Sequence, residues 1–252
     1  MIHYHGTPLS GDIAVQVRGL KARHAMVSFW KPSQIDIVAE VCQSFCIDNG
    51  AFSAWKNGGT IDLDAYAEFI EKWSRHPSFD FYVIPDVIDG TFEDNRKMLA
   101  RWSQYGINLL TKGAIVWHLH EPLEALRDYC NAYQRVCIGS SGQYSQIGTP
   151  VWWGRMAEAM EVATDDDGMP LTKLHGLRML DPTVFSHFPF SSADSTNVAR
   201  NIGIDQAWKG TYVPQSREAR ALILAERIES HASAGRWSGK SSGASSNLEL
   251  FG

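Results

Sequence analysis

The feature that most constrains the fold of this chain is a repeated alternation between short apolar runs and longer stretches with apolar residues at helical spacing. The short runs are rich in β-branched and aromatic residues, which is typical of strands. Regular alternation favours parallel strands joined by helical crossovers. The predicted strands cover residues 2–5, 24–30, 44–47, 79–84, 113–117, 135–138, 172–174 and 188–193. The predicted helices cover residues 12–20, 60–73, 91–105, 121–131, 150–163 and 216–230, and a further helix begins at Pro32.

About eight such units in succession predict an α/β fold, a compact (β/α)8 TIM barrel. The alternative is an open doubly wound sheet, but the chain has no GxGxxG-like or P-loop turn of the kind that binds phosphates in such sheets. With 252 residues, of which 44% are hydrophobic, the chain can bury one large core. Residues 1–231 are therefore predicted as one barrel domain, and residues 211–213 are a ninth candidate strand without an assigned place.

Charge and cysteine usage narrow the class of protein. A net charge of -5 argues against a protein that coats nucleic acid through bulk electrostatics, although a local basic groove stays compatible with it. The four cysteines lack the spacing of a zinc knuckle or of a disulfide framework. The first residues do not form a signal peptide, and no apolar run approaches the roughly 18 residues of a membrane span. We therefore expect a cytoplasmic protein with no membrane partner.

The segment 232–252 has a composition of its own. It is rich in Ser, Gly and Ala, which bury too little apolar surface to stay ordered, so we expect a disordered tail. Its last residues, Asn247 to Phe251, resemble the short peptides by which DNA-acting enzymes bind the replication sliding clamp, although those peptides usually begin with Gln. The alternative interpretation is a frayed end with a few apolar residues.

Polar residues recur where the predicted strands stop. Because active sites of (β/α)8 barrels lie at the carboxyl ends of the strands, we expect these side chains to converge. A carboxylate in such a place can act as a nucleophile or as a general acid and base. The residues concerned are Asp48, Asp86, His118, Gly139, His175 and Asp194.

Two of these strand ends carry the strongest family resemblance. Asp48-Asn-Gly-Ala-Phe52 resembles the Asp-Ser-Gly-Gly-Phe motif of the tRNA-guanine transglycosylases, which exchange guanine for a 7-deazaguanine base. Ser192-Ala-Asp194-Ser, followed by Arg200, is similar to the nucleophile segment of that family. Both motifs occur in the family's order along the chain.

Three further segments follow the same order, so the resemblance runs over about residues 2–205. Pro85-Asp86, Ile138-Gly139 and Leu174-His175-Gly176 resemble the family's second aspartate, its glycine turn and its Leu-Met-Gly strand. The Cys-x-Cys-x-x-Cys…His zinc subdomain is missing, and Trp117-His118-Leu-His120 stands in place of Val-Gln-Gly. A compact chain without the zinc site looks like the phage DNA-guanine transglycosylases of the DpdA type, which would place it in the host cytoplasm.

The resemblance implies a mechanism and a set of roles. Asp194 would attack the sugar C1′ as the nucleophile, and Asp48 would act as acid and base or hold the base edge. Asp86 would accept the two donors on the guanine edge. The resemblance also implies DNA and a 7-deazaguanine base such as preQ0 as substrates, with no cofactor and no bound metal. The substrate-binding set would comprise Asp86, Asn49, Gly50, Phe52, His118, His120, Gly139, Ser140, His175 and Arg200.

The residues alone leave plainer roles open. Asp194 could cap a turn or helix, and Asp48 could be a tight-turn residue. His175 could be a core histidine with satisfied hydrogen bonds. His118 and His120 lie two apart on a predicted strand and so would share one face, where they could chelate a metal, but no third ligand is evident.

Four functions remain as alternatives to DNA base exchange. The first two, in the same fold, are a tRNA guanine transglycosylase and a free-nucleoside guanine transglycosylase, and the missing zinc subdomain argues against the tRNA enzyme. The third is a DNA glycosylase, in which water resolves the intermediate. The fourth is a non-catalytic nucleic-acid-binding barrel, for which three convergent carboxylates next to phosphates would be of little use.

Overall fold

The chain forms a closed barrel of parallel strands, which confirms the predicted (β/α)8 fold. The computed structural model describes residues 1–106, 111–203, 208 and 212–239. Each strand in this part of the chain pairs with the next, and the first pairs with the last. The strands are β1 (Ile2–Gly6), β2 (His24–Ser28), β3 (Ser44–Asp48), β4 (Phe79–Val83), β5 (Gly113–His118), β6 (Arg135–Gly139), β7 (Lys173–Gly176) and β8 (Ser192–Ser195).

Helices connect the strands and cover the outside of the barrel. Most begin at a capping side chain that accepts a backbone N–H of the first turn, as Asp12, Thr91 and Ser216 do. The helix predicted to start at Thr60 is capped by Asp62 instead. The helices are α1 (Ile13–Leu20), α2 (Ile35–Val41), α3 (Ala51–Lys56), α4 (Leu63–Trp73), α5 (Phe92–Ser103), α6 (Leu123–Ala132), α7 (Pro150–Ala163), α8 (Pro182–Phe185), α9 (Asn197–Asn201) and α10 (Arg217–Glu229).

The structure corrects the predicted extent of two strands and the ninth candidate strand. β2 ends at Ser28, so that Trp30 lies in the following loop. β8 begins only at Ser192, because the apolar residues before it, Phe188 and Phe190, are buried outside the barrel in the core against the helices. In the ninth candidate strand, residues 212 and 213 are not in a strand, and residue 211 lies outside the described residues.

The buried residues form two layers, one inside the barrel and one between the strands and the helices. Successive residues along a strand belong alternately to the inner and the outer layer, because side chains of a strand point to opposite faces in turn. The outer layer contains the large aromatic residues Trp102, Trp117 and Trp152. The apolar residues of the inner layer are Tyr4, Met26, Cys46, Phe81, Val83, Ala114, Val116 and Cys137.

Strand β4 contains an irregularity that changes what faces the barrel interior. Phe45 pairs with Phe79 and Ile47 with Tyr82, so β4 has one residue more than β3 between these pairs. Both paired residues of β4 belong to the outer layer. The extra residue lets two consecutive side chains, Asp80 and Phe81, contact the barrel interior.

Part of the predicted tail packs against the barrel. The Trp237 ring stacks on Phe188 at 6.0 Å, and its indole N–H donates to Glu161. Ala234 N–H donates to the carbonyl of Phe188. The segment 233–239 therefore contacts the folded domain, whereas the rest of the tail, including Asn247 to Phe251, lies outside the described residues. Among the described helices, none has the length and apolar character that crossing a membrane requires.

Candidate active site

A cavity of about 610 Å³ opens at the carboxyl end of the barrel. This is the end at which (β/α)8 enzymes carry their active sites, and the volume lies within the roughly 300–1,000 Å³ typical of ligand pockets. Its floor holds three carboxylates, from the ends of β3, β4 and β8: Asp48, Asp86 and Asp194. Most of the other predicted site residues also line it, namely Asn49, Phe52, His118, Gly139, Ser140 and Arg200.

Asp194 is held in place by backbone and side-chain donors. It is 8% exposed, and its Oδ1 accepts the backbone N–H of Arg178 at 2.8 Å. Arg178 has φ of 61°, a left-handed conformation that aims this N–H at the carboxylate. Nε2 of His175 lies 3.4 Å from the same oxygen. The second oxygen, Oδ2, has no hydrogen bond to the described residues and remains available to a substrate.

A chain of buried polar groups supports Asp194 from below. His175 Nδ1 lies 2.8 Å from Ser192 Oγ, and Ser192 Oγ accepts a hydrogen bond from Arg135. Because its oxygen accepts from Arg135, the Ser192 hydroxyl can donate its own proton to Nδ1, which leaves the His175 proton on Nε2, facing Asp194. Burial lowers the pKa of His175, so the ring is neutral despite the opposing effect of Asp194.

This series of buried polar groups ends at the other side of the barrel interior. The Arg135 guanidinium pairs with Asp80 at 3.1 Å and lies 4.1 Å from the Phe81 ring centroid. Tyr4, which is fully buried, donates its hydroxyl proton to Asp80. We name the set Asp194, His175, Ser192, Arg135, Asp80 and Tyr4 the polar chain. It connects the pocket floor to the amino ends of the strands.

Asp86 is fixed through both of its oxygens. Asn49 Nδ2 donates to Oδ1 at 2.7 Å, and His118 Nε2 donates to Oδ2 at 2.8 Å. Burial lowers the pKa of His118, but the hydrogen bond and charge of Asp86 and the charge of Glu121 outweigh it, so the pKa lies above its ordinary value. Each carboxylate oxygen keeps acceptor capacity for a ligand donor.

Asn49 positions its neighbours. Besides Asp86, its amide group binds the Ile84 carbonyl and accepts the N–H of Ala51. Gly50, which adopts φ of 79°, lies so close to Trp30 that an added Cβ would come within 2.8 Å of the Trp30 nitrogen. The turn after β3 therefore needs Gly here for both its conformation and its packing.

Asp48 has the most perturbed carboxyl group of the pocket. Burial, together with the nearby charges of Asp194 and Asp86, raises its pKa from 3.8 to about 7. A hydrogen bond from the Gly50 N–H, at 3.1 Å, opposes this shift only in part. Near neutral pH, Asp48 is thus present in both protonation states, as a group that alternately donates and accepts a proton requires.

The raised pKa predicts that Asp48→Asn stabilises the protein at alkaline pH. Between about pH 4 and 7, the folded state keeps a proton on Asp48 that the unfolded state releases. The free energy of unfolding therefore falls over this range, and the loss is complete above pH 7. We expect the substitution to raise the free energy of unfolding by about 1–2 kcal/mol at pH 8, and the melting temperature by about 2–8 °C. At pH 4 the gain should vanish. Thermal unfolding at both pH values measures the melting temperature of this variant and of Asp89→Asn, an exposed control. Equal changes of melting temperature in the two variants would contradict the prediction.

Three predicted site residues, Gly50, His120 and His175, do not line the cavity. Gly50 and His175 position Asp48 and Asp194 as described. His120 stacks on His118 at 5.6 Å; its Nδ1 accepts from the Ser141 hydroxyl and its Nε2 donates to the Gly90 carbonyl. It follows β5 in a turn and is exposed, so the prediction that both histidines lie on one strand was wrong.

Gly139 and Ser140 bring the backbone close to His118 and Arg178. A Cβ on Gly139 would lie 2.9 Å from His118 Nδ1, so only glycine leaves this ring its position. The Ser140 hydroxyl accepts from Trp152, and its carbonyl accepts from the Arg178 guanidinium. Within the described ranges no group of three or more His, Cys, Asp or Glu side chains is arranged to hold a metal ion.

Sequence reasoning missed several residues at the pocket mouth. The Arg178 side chain lies at this mouth, 4.9 Å from the Phe52 ring centroid. Trp30, Lys31 and Lys56 also line the cavity. The available signal was the polar and aromatic run directly after β2 and β3, but the strand assignment had extended through Trp30.

No protein-family model, curated protein or solved structure matches this chain. The fold and the pocket define a (β/α)8 barrel with three carboxylates converging at the carboxyl ends of its strands. Its activity is therefore argued from the site itself.

Proposed function

We propose that the protein is a DNA-guanine transglycosylase, which exchanges guanine in DNA for a 7-deazaguanine base. The observation that carries the proposal is the convergence of Asp48, Asp86 and Asp194 in one pocket, each with a different environment. Asp194 has an oxygen without a hydrogen bond to the described residues, Asp48 has a pKa of about 7, and Asp86 is oriented by two donors. Environments that separate the properties of neighbouring carboxyl groups support separate catalytic roles.

In the first half-reaction, an Asp194 oxygen forms a bond to C1′ while the bond from C1′ to the base nitrogen breaks. The bonding electron pair leaves with guanine, which takes a proton from the neutral form of Asp48. In the second half-reaction, Asp48 accepts a proton from the incoming base. The base nitrogen then bonds to C1′ and the Asp194 oxygen leaves as carboxylate.

Asp86 gives the pocket its preference for guanine-like bases. A carboxylate accepts hydrogen bonds only, and guanine offers N1–H and the 2-amino group side by side. Asn49 and His118 hold the carboxylate so that its free lone pairs are fixed in direction. Because the target base must leave the duplex to reach this floor, the enzyme extrudes the nucleotide at a cost of a few kcal/mol.

The role of Asp48 predicts the pH dependence of base release. If its neutral form protonates the leaving guanine, the single-turnover rate should fall about tenfold per pH unit above pH 7. Rapid quench of release of labelled guanine between pH 5.5 and 9 measures this profile. A rate that rises through pH 7 would instead make Asp48 a base in the limiting step.

The function itself is tested by incorporation of labelled guanine and of a labelled 7-deazaguanine into duplex DNA and, in parallel, into tRNA. Label in DNA that is absent with Asp194→Asn supports the proposal. Label only in tRNA would assign the protein to RNA, and release of base without label would make it a glycosylase. A folded protein that gives neither label nor release would contradict a catalytic role.

A further inference from the structure

One side of the pocket mouth exposes an unusual group of side chains. Trp30 follows β2, and Phe52 and Trp55 lie on α3; their exposed fractions are 47%, 41% and 47%. Two lysines, Lys31 and Lys56, lie beside them. We name these five residues the aromatic-basic rim.

Exposure of these aromatic residues contrasts with the burial of several other tryptophans. Trp102, Trp117 and Trp152 are completely buried, and tryptophan side chains are highly buried on average. Phe52 lines the cavity and Trp55 does not, but their rings lie 5.8 Å apart, so they form an apolar surface that continues outward from the pocket edge. An exposed apolar patch beside a polar pocket indicates a binding surface.

The rim also carries positive charge. Lys31 and Lys56 line the mouth and form no ion pair within the described residues. Arg178 and Arg200 line the same cavity, and the Arg178 guanidinium lies 4.9 Å from the ring centroid of Phe52. The chain as a whole carries a net charge of -5. A cationic mouth on an acidic protein, above a floor of carboxylates, is complementary to a polyanion that extends across the opening.

We propose that the aromatic-basic rim binds the DNA strand next to the extruded nucleotide. Trp30 and Trp55 stack on the neighbouring bases, and Lys31 and Lys56 contact the phosphates. Stacking on aromatic residues together with phosphate neutralisation is the usual way in which a protein holds single-stranded nucleic acid. The inference rests on the proposed function, and it adds the surface by which that function acquires its polymeric substrate.

The experiment measures the binding of a fluorescein-labelled DNA duplex with an unpaired guanine bubble, by anisotropy, in an Asp194→Asn background that prevents turnover. We expect Trp30→Ala/Trp55→Ala to weaken binding about tenfold or more, because each stacked base contributes on this scale. Trp30→Phe/Trp55→Phe should restore most of the affinity. Lys31→Gln/Lys56→Gln should reduce the slope of log affinity against log salt concentration by about two.

The matched control replaces two exposed lysines away from the mouth, Lys21→Gln/Lys97→Gln, and should leave affinity and salt slope unchanged. Rim variants that bind DNA like this control would overturn the inference, even if exchange into DNA were observed. Rim-dependent binding without any exchange would retain the inference and overturn the proposed chemistry. Preference of the rim for tRNA over the bubble duplex would overturn the assignment to DNA.

Discussion

Asp194→Asn is expected to lower the rate of base exchange by about 10⁴-fold or more, because the amide cannot form the covalent bond to C1′. The fold should persist, since asparagine keeps an oxygen that can accept the Arg178 N–H, and the Asp194 carbonyl still accepts from Leu180. Single-turnover exchange measures the rate, and a denaturing gel detects the protein–DNA adduct, which should be absent from the variant.

Asp89→Asn is the matched control for this prediction. Asp89 lies in the loop after β4 and is exposed, outside the pocket lining. Its replacement removes the same charge and should leave exchange within twofold or so of the parent. A rate for Asp194→Asn within about tenfold of the parent would exclude Asp194 as the nucleophile, because a lost nucleophile costs far more than that.

Asp80→Ala is expected to destabilise the protein by about 3 kcal/mol, the lower end of the range for a broken buried ion pair. The Arg135 side chain is only 9% exposed and would lose its anionic partner, while the buried Tyr4 hydroxyl would lose its acceptor. The Asp80 side chain is 27% exposed, so water can replace part of what is lost. Urea unfolding at an unchanged m-value measures the difference.

Two comparisons make this prediction specific. Glu93→Ala removes an exposed ion pair with Arg96 and should cost less than about 1 kcal/mol. Asp80→Asn keeps an acceptor for the Tyr4 hydroxyl, so its loss in free energy of unfolding should lie between those of the other two variants. Equal losses for Asp80→Ala and Glu93→Ala would show that the Arg135 pair contributes no more than a surface pair.

The barrel and the convergence of the strand-end residues follow from patterns that the sequence displays. Alternating strands and helices specify the connections, and the carboxyl ends of parallel strands then have to meet. Asp48, Asp86 and Asp194 are close to one another for this reason. The prediction needed only the approximate end of each strand, so boundary errors of a few residues at β2 and β8 did not disturb it.

The contacts that hold these carboxylates in place could not be predicted in the same way. Asp80 contacts the interior because β4 contains an extra residue, and a bulge depends on the pairing between strands. The contact of Arg178 with Asp194 depends on a left-handed backbone conformation at a residue other than glycine. Helix α3 is too short for a periodic pattern, which is why Trp55 of the rim went unassigned.

The polar chain has a consequence for how this barrel can change over evolution or in the laboratory. Barrel enzymes are usually diversified by exchanging loops above an inert interior. Here the interior is connected to the proposed nucleophile, since Tyr4 and Asp80 connect through Arg135, Ser192 and His175 to Asp194. Acceptable substitutions along this path should therefore occur in matched sets, and transplanting the pocket onto another barrel would require its inner residues as well as its loops.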